Sequence, residues 1–217
     1  MSLDPLAVHG GRVASLARSL GVGVDAILDF SSNCDCLVRG LTQGILSRIA
    51  YPFDHYPDSL NTPLREALAA KEAVSPEHVL VGNGSSELIY LLFQTLRPRH
   101  TLLVTPLFSE YERACKAAGL EFQRYELGED RDFALTTPDL EALCAHPADL
   151  VVLCSPNNPT GQVFSGLERL LEAGKQVLLD ATYVDFLESR DDRARHHFAH
   201  LRPYGDILCL HSFTKAF

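Results

Sequence analysis

The sequence lacks the features that mark several large classes of protein. Its 19 lysines and arginines are outnumbered by 28 aspartates and glutamates, and the net charge of −9 argues against a nucleic-acid-binding surface. No apolar run approaches the length of a membrane span, and the start, MSLDPLAVHGG, lacks the basic and apolar regions of a signal peptide. The six cysteines form no CxxC pair, and several stand in apolar runs where a reduced thiol acts as a small hydrophobe. We therefore expect a cytoplasmic protein that binds neither nucleic acid nor membrane.

The sequence does contain an alternation of short apolar runs and helix-like segments. Hydrophobic residues make up 46% of the 217 residues and charged residues 22%, which is enough to bury a sizeable core. From about residue 60 the apolar, β-branched runs predict strands over 78–82, 101–105, 120–127, 149–155, 176–180 and 206–212. The remaining segments predict helices over 62–74, 84–96, 109–118, 137–145 and 165–174. Apolar strands separated by helices predict a three-layer α/β/α fold with a mostly parallel sheet in the middle.

The first fifty residues follow a different pattern. They contain one helix-like segment, RVASLARSLG, and a loop-rich stretch, SSNCDCLVRG. We expect residues 1–50 to form an N-terminal arm and part of a small domain, and residues 51–217 to form the large domain.

Polar side chains follow five of the predicted strands. The segments are, in chain order, GNGSSE, TPLFSEY, SPNNPTG, DATY and SFTK. Because ligands of open parallel sheets bind beyond the carboxyl ends of the strands, we expect these segments to meet around one ligand. Their glycine, serine, asparagine, aspartate, tyrosine and lysine residues suit an anionic, aromatic ligand that carries a carbonyl group.

Two of these segments suit the polar parts of such a ligand. In GNGSSE, Gly82 and Gly84 permit a tight turn, and Ser85 and Ser86 then begin a helix whose free N–H groups can bind a phosphate. The alternative is a plain strand-to-helix turn with a serine cap. SPNNPTG, residues 155–161, either aims an amide side chain at the ligand or serves only as a turn.

Two charged residues stand at the ends of apolar runs. Asp180 ends the run QVLL, where a buried carboxylate is costly unless it is paired, and a helix N-cap is its alternative role. Lys215 follows the run DILCL, and a desolvated lysine becomes a nucleophilic amine that can form a Schiff base. Ser212 and Thr214 flank this lysine with hydroxyl groups that could hold a phosphate.

These features in combination resemble a known family. A lysine amine, an acid and a cup of glycine and serine are what pyridoxal phosphate requires. The motifs G-N-G-S-S-E, P-x-F-x-x-Y, N-N-P-T-G, D-x-x-Y and S-x-x-K, in this order, resemble the large domain of class I/II aminotransferases, the fold type I pyridoxal-phosphate enzymes. The resemblance covers nearly the whole chain. It implies a PLP-dependent aminotransferase whose cofactor is pyridoxal 5′-phosphate.

The resemblance also implies the roles of the residues around the cofactor ring. Lys215 would form the Schiff base and then move a proton between substrate and cofactor. Asp180 would keep the pyridine nitrogen protonated. Asn158 and Tyr183 would hydrogen-bond the ring's phenolic oxygen, and Tyr111 would stack on the ring face.

A further set of residues is implied to hold the cofactor's phosphate group. These residues come from the first and last motifs and are Gly84, Ser85, Ser86, Ser212 and Thr214. Tyr56, in HYPD, matches a family tyrosine that reaches the phosphate of the neighbouring subunit. This match implies a homodimer with shared active sites.

The opening HGG and the segment ILDFSSN point to one branch of the family. They resemble the group that contains histidinol-phosphate aminotransferase and threonine-phosphate decarboxylase. There His9 would bind a substrate phosphate, unless it only belongs to a terminal arm, and Asn33 would lie near the substrate. Arg12 and NCDCLV replace the usual continuations HGGN and N-x-N-P-L-G. The implied reaction is transamination of a small, phosphorylated L-amino acid or amine, with L-threonine-O-3-phosphate decarboxylation in the cobalamin pathway as the alternative.

Two other clusters carry potential metal ligands, but we expect no metal site. His196 and His200 have helical i, i+4 spacing without an evident third ligand, so an exposed helix face is expected there. Cys34 and Cys36 are likewise not expected to bind a metal or to form a redox pair.

The resemblance predicts a longer enzyme than the 217 residues present. In the family the chain continues past the lysine with an arginine near the phosphate, the rest of the sheet and a C-terminal small domain. We therefore expect a C-terminally truncated chain that represents the cofactor-binding part of the enzyme. An inert fragment that binds cofactor, and an interaction protein that does not, are the alternatives.

Overall fold

The protein is described by a computed structural model that covers residues 11–33, 39–49, 54–187 and 205–216. The helices within those ranges are α1 (Val13–Leu20), α2 (Arg39–Leu46), α3 (Thr62–Glu72), α4 (Gly84–Leu96), α5 (Glu110–Ala117), α6 (Thr137–Ala145), α7 (Glu168–Glu172) and α8 (Phe213–Ala216). The strands are β1 (Thr101–Thr105), β2 (Phe122–Glu126), β3 (Leu150–Cys154), β4 (Gln176–Asp180) and β5 (Ile207–Leu210). Short 3₁₀ turns are formed by Val24–Ala26, Pro76–His78, Glu129–Arg131 and Val184–Phe186.

The strands form one sheet in the order β2-β1-β3-β4-β5, and every neighbouring pair is parallel. The chain runs outward from β1 to β2 and then returns to the other side of β1 as β3, so the order reverses between β1 and β3. Cys154, Asp180 and Leu210 are register partners at the carboxyl ends of β3, β4 and β5. The sheet therefore presents the ends of three adjacent strands at one level.

Consecutive strand residues pack on opposite faces of this sheet. Leu103, Val152 and Leu178 belong to a core cluster that also contains residues of α4 and α5. Their neighbours along the strands, Leu102, Val151 and Leu179, belong to a second cluster with residues of α6 and α7. Because side chains alternate along a strand, the two clusters lie on the two sides of the sheet. The predicted three-layer α/β/α fold is confirmed.

One predicted strand is wrong. Residues 78–82 are not a strand, because Pro76–His78 form a 3₁₀ turn and residues 79–82 have no regular structure. A strand exists only when its backbone groups pair with a neighbouring strand. Among the described residues no strand lies beside this segment, and Leu80 is 61% exposed.

A hydrogen-bond network joins β2 to the start of α6. Tyr125 donates its hydroxyl to Asp139 Oδ1 at 2.9 Å, and the Thr136 N–H donates to Asp139 Oδ2 at 2.8 Å. Arg131 forms a 3.0 Å ion pair with the same carboxylate. Burial alone would raise the pKa of Asp139, but the hydrogen bonds outweigh it and lower the pKa to about 2. This tyrosine–carboxylate pair has a structural role.

None of the helices in the described part of the chain is long and apolar enough to span a membrane. Cys115 and Cys154 are buried in the core, and burial raises the pKa of the Cys115 thiol to about 12. Both therefore act as small apolar side chains, as predicted for cysteines in apolar runs.

Candidate active site

Asp180 is the centre of the polar residues at the carboxyl edge of the sheet. It is the last residue of β4 and its side chain lies in the core, with 5% of the residue exposed. Its Oδ2 accepts a 2.8 Å hydrogen bond from the hydroxyl of Tyr111, and its Oδ1 accepts a 3.0 Å bond from the N–H of Thr182. The bond from Thr182 is the local contact expected if Asp180 only caps the following turn. The bond from Tyr111 shows that the carboxylate also has a partner from α5.

The surroundings of Asp180 act on its pKa in opposite directions. Burial is the largest effect and raises the pKa, whereas the hydrogen bonds from Thr182 and Tyr111 and the positive charge of Lys215 lower it, leaving a net increase. Lys215 is partly buried in α8, directly after β5. Since its charge acts on the carboxylate, the structure places the predicted lysine and the predicted acid within electrostatic reach of each other.

Tyr183 joins two further predicted residues beside this acid. Its hydroxyl oxygen accepts hydrogen bonds from Asn33 Nδ2 at 2.9 Å and from Asn158 Nδ2 at 3.3 Å. The three side chains border a cavity of about 340 Å³, whose other lining residues are Pro156, Asn157, Pro159, Gly161, Phe186 and Leu187.

The two asparagines of SPNNPTG have different roles. Asn157 is buried, and its Nδ2 donates to the Pro106 carbonyl at 3.0 Å while its Oδ1 accepts from the Thr160 hydroxyl at 2.8 Å. It therefore ties the loop after β3 to the loop after β1. Asn158, which is only partly buried, is the amide that reaches Tyr183.

The predicted phosphate-binding residues lie on two helix starts. Gly84 is the first residue of α4 and has φ +81°, and no atom lies within 4 Å of the position that a Cβ would occupy there. Ser85 and Ser86 follow in the first turn, where the N–H groups of a helix have no acceptor within the helix. Ser212 and Thr214 stand at the start of α8 with their hydroxyl oxygens 2.6 Å apart.

The predicted stacking role of Tyr111 is not supported by its position. Its ring is completely buried, at 0% exposure, and therefore has no free face for a ligand. The helical spacing of Tyr111, Ala114 and Cys115, all on the buried face of α5, is the signal that predicts this burial. Phe108, in the same motif, is only partly buried in the loop between β1 and α5, and it is the aromatic residue that the sequence analysis missed.

Other predicted residues lie away from these contacts or outside the described residues. Tyr56 is fully exposed, at 101%, so it contributes nothing to the cavity within this chain. His9, the pair Cys34 and Cys36, and the pair His196 and His200 lie outside the described residues.

Comparison with known proteins agrees with this geometry. Residues 29–217 match the family described as aminotransferase class I and II. The chain belongs to this family. Class I and II aminotransferases are pyridoxal phosphate enzymes, and the match includes the strand-end segments that surround Asp180.

Two curated relatives illustrate the branch of the aminotransferase family. The chain is 35% identical over 188 residues to threonine-phosphate decarboxylase of Salmonella typhimurium. The aligned region covers 82% of this chain and 51% of the relative. It is 37% identical over 179 residues to histidinol-phosphate aminotransferase of Desulfitobacterium hafniense, which covers 77% of this chain and 48% of the relative. The chain thus spans about half the length of the curated relatives it matches.

Solved structures of the family have the same fold. L-threonine-O-3-phosphate decarboxylase from Porphyromonas gingivalis superposes with a TM-score of 0.65 at 26% identity, over 83% of this chain and 52% of the other. Histidinol-phosphate aminotransferase from Clostridium acetobutylicum gives a TM-score of 0.71 at 22% identity, over 88% of this chain and 57% of the other. The second comparison supports the fold alone.

The raised pKa of Asp180 predicts that removing this charge stabilises the cofactor-free protein. The folded state binds the Asp180 proton more tightly than the unfolded chain, whose aspartates titrate near pH 4. The stability contributed by that proton is complete below about pH 4 and is lost as the pH rises through the folded-state pKa. We expect the stability of Asp180→Asn relative to the wild type to increase as the pH rises from 4 to 8, measured by urea unfolding.

Asp139→Asn is the matched control, because the pKa of Asp139 is lowered to about 2. Its carboxylate contributes stability above about pH 4 that is lost as the pH falls toward 2, so the control should lose stability at pH 8. A wild-type stability that does not fall relative to Asp180→Asn as the pH rises would contradict the prediction.

Proposed function

We propose that this chain binds pyridoxal phosphate and forms the cofactor-binding part of an aminotransferase that acts on a small, phosphorylated amino acid or amine. The buried carboxylate of Asp180, within electrostatic reach of Lys215, is the observation that carries the proposal. A charged carboxylate in the core is costly unless a cationic partner compensates for its lost hydration. The protonated ring nitrogen of the cofactor would be such a partner.

The residues at this edge fit each part of the cofactor. Asp180 would hold the proton of the ring nitrogen. Tyr183 would donate its hydroxyl hydrogen to the phenolic oxygen of the ring, with Asn158 beside it. Phe108, which keeps part of its ring outside the core, replaces Tyr111 as the candidate for the ring face.

The phosphate group would be held by neutral donors. Gly84, Ser85 and Ser86 offer the N-terminus of α4, and the open space beside Gly84 lets an anion approach the backbone. The hydroxyls of Ser212 and Thr214 supply further donors. No basic side chain is needed among these residues, since helix N–H groups and hydroxyls bind phosphate by themselves.

Bound pyridoxal phosphate would supply an aldehyde that captures amines and a protonated ring that withdraws electrons from the carbon next to the captured nitrogen. Lys215 is the amine that would attach to the aldehyde carbon. In the enzyme with bound cofactor and substrate, the free amine of Lys215 would take a proton from the substrate's Cα and return it. Its partial burial limits competition from water for this proton.

Attachment of the cofactor to one lysine tests the cofactor proposal. We expect borohydride reduction of the chain with pyridoxal phosphate to fix the cofactor to the peptide that contains Lys215, as read by mass spectrometry. Lys215→Ala should lose this label completely, because no other amine stands next to Asp180 among the described residues. Lys116→Ala, at an exposed position on α5, should retain it. Labelling that persists in Lys215→Ala refutes the assigned lysine.

Threonine-phosphate decarboxylation is the second candidate reaction, favoured by the 35% identity to the Salmonella typhimurium decarboxylase. The two reactions differ in the bond that is broken at Cα, so their products distinguish them. With histidinol phosphate and an oxo-acid acceptor, transamination yields a new amino acid, which chromatography detects. With threonine phosphate, decarboxylation releases carbon dioxide and leaves the amine. Cofactor labelling without either product would mean that these 217 residues bind the cofactor without turnover.

A homodimer with shared active sites follows from the same proposal. Tyr56 is fully exposed and does not line the cavity of its own chain, which suits a side chain that reaches the phosphate site of a second subunit. The buried, unpaired thiols of Cys115 and Cys154 fit a reducing, cytoplasmic location.

Mixed subunits test this sharing. Tyr56→Phe should weaken pyridoxal phosphate binding about tenfold, since a hydrogen bond to a charged group is lost. Random mixing of Tyr56→Phe and Lys215→Ala chains should restore native affinity at about one quarter of all sites, because half of the dimers combine the two variants and each has one intact site. Light scattering that finds only monomers, or mixing that restores nothing, counts against the shared site.

A further inference from the structure

We propose that Tyr111 is a positioning residue that orients the carboxylate of Asp180, rather than a residue that touches the cofactor. The inference rests on the proposed function, because it concerns how Asp180 meets the ring nitrogen. It starts from the 2.8 Å hydrogen bond that the Tyr111 hydroxyl donates to Asp180 Oδ2.

The position of the Tyr111 hydroxyl is set by the core. The ring is fully buried among the apolar residues that fill the α4 and α5 side of the sheet. Phe93 contacts it edge-on, with the ring centroids 6.5 Å apart and the ring planes at 74°. A ring enclosed in this way cannot change rotamer without opening a cavity, so its hydroxyl stays at one place beside β4.

The two hydrogen bonds fix the plane of the carboxylate. Tyr111 holds Oδ2 from α5, and the N–H of Thr182 holds Oδ1 from the chain that follows β4. Each carboxylate oxygen can accept more than one hydrogen bond, so each retains capacity for a further donor. The remaining acceptor sites of the carboxylate therefore point in a fixed direction. A carboxylate that is oriented in advance interacts strongly with a positive charge placed in that direction.

The same hydrogen bond lowers the basicity of Asp180, in addition to the larger effect of the hydrogen bonds from Thr182. A donor that binds the charged form of a carboxylate lowers its pKa, and Tyr111 opposes the increase that burial causes. Burial, followed by the nearby charge of Asp180, raises the pKa of Tyr111 far above its ordinary value, so the phenol stays protonated and remains the donor. If Asp180 and the ring nitrogen of the cofactor share a proton, a less basic carboxylate leaves that proton on the nitrogen. The protonated ring would then withdraw electrons, as an aminotransferase requires.

Among the described residues, the other groups near Asp180 act on it in different ways, and Tyr111 is the side chain that reaches it from the core. Cys154, its neighbour on β3, stays a neutral thiol because burial raises its pKa, and the charge of Asp180 raises it further. Lys215 acts on Asp180 from α8 through its charge. That charge would be lost from the amine when Lys215 attaches to the cofactor. Thr182 holds the other carboxylate oxygen from the same chain segment.

The titration of Asp180 in the cofactor-free protein tests the inference. The ¹³C carboxyl shift of Asp180, assigned by its absence in Asp180→Asn, reports its midpoint directly. We expect Tyr111→Phe, which keeps the ring and removes only the hydroxyl, to raise this midpoint by about one pH unit, the size expected for a hydrogen bond to a charged group. Tyr125→Phe removes the equivalent bond to Asp139 and should leave the Asp180 midpoint unchanged.

A second substitution keeps the test valid if Tyr111→Phe does not fold. Replacement of Tyr111 by 3-fluorotyrosine makes the phenol a stronger hydrogen-bond donor, so the Asp180 midpoint should fall instead of rise. An Asp180 midpoint that is unchanged by either substitution overturns the inference. A shifted midpoint in a chain that takes up no pyridoxal phosphate on Lys215 would refute the proposed function and leave the Tyr111–Asp180 coupling established.

Binding of pyridoxal phosphate supplies the readout that depends on the cofactor. In a chain that binds it, Tyr111→Phe should lower the fraction of ring nitrogen that carries the shared proton, because a more basic Asp180 takes more of that proton, as seen by ¹⁵N NMR of labelled cofactor. Tyr125→Phe should not change this fraction. A structural role for Tyr111 would lower stability at every pH and leave the protonated fraction of the ring nitrogen unchanged, which would contradict the assignment.

Discussion

The burial of one carboxylate at the end of β4 is the constraint on which the rest of this site depends. Asp180 is 5% exposed and sits where three parallel strands end at the same level. A charge in that position is tolerated only with donors and cations around it, and each of its partners comes from a different part of the chain. Tyr111 comes from α5, Thr182 from the turn after β4, and Lys215 from the helix after β5. Asp180 therefore connects the packed core, through Tyr111, to the candidate active site at the carboxyl edge of the sheet.

The sheet order explains where the cleft opens. In open parallel sheets the reversal of strand order leaves a crevice, here between β1 and β3. Asn157 bridges that crevice through its bond to the Pro106 carbonyl and so rigidifies the two loops. The open space lies next to it, along the loop after β3 and the turn after β4, where Asn33 from the N-terminal part of the chain meets Tyr183. The hydrogen bond between Asn157 and Pro106 thus closes the crevice at the reversal of strand order and forms one rigid side of the adjacent cavity.

The sequence predicts those features that depend on neighbours along the chain. Asp180 could be found because it ends an apolar run, and Lys215 because it follows one within a few residues. The helix predicted over residues 84–96 agrees with α4, which begins at Gly84 and ends at Leu96. The strand predicted over 78–82 is wrong because the apolar residues of this segment carry no information about a neighbouring strand to pair with. Tyr111 was placed on the ligand by its motif, although the spacing of Tyr111, Ala114 and Cys115 indicates the core. The bond from Asn33 to Tyr183 spans 150 residues, and no local pattern predicts it.

The overall charge makes the local donors more important. A chain with a net charge of −9 repels an anionic ligand at long range, so a phosphate must be held by short-range donors. At the start of α4 the carboxylate of Glu87 could oppose such a ligand, but it accepts a hydrogen bond from the backbone N–H of Asn83, which directs part of its charge toward the preceding loop. The first-turn N–H groups of Ser85 and Ser86 face no acceptor within their helix. Because hydroxyls and backbone N–H groups have no charge to titrate, such a phosphate site keeps its donors at every pH at which the fold survives.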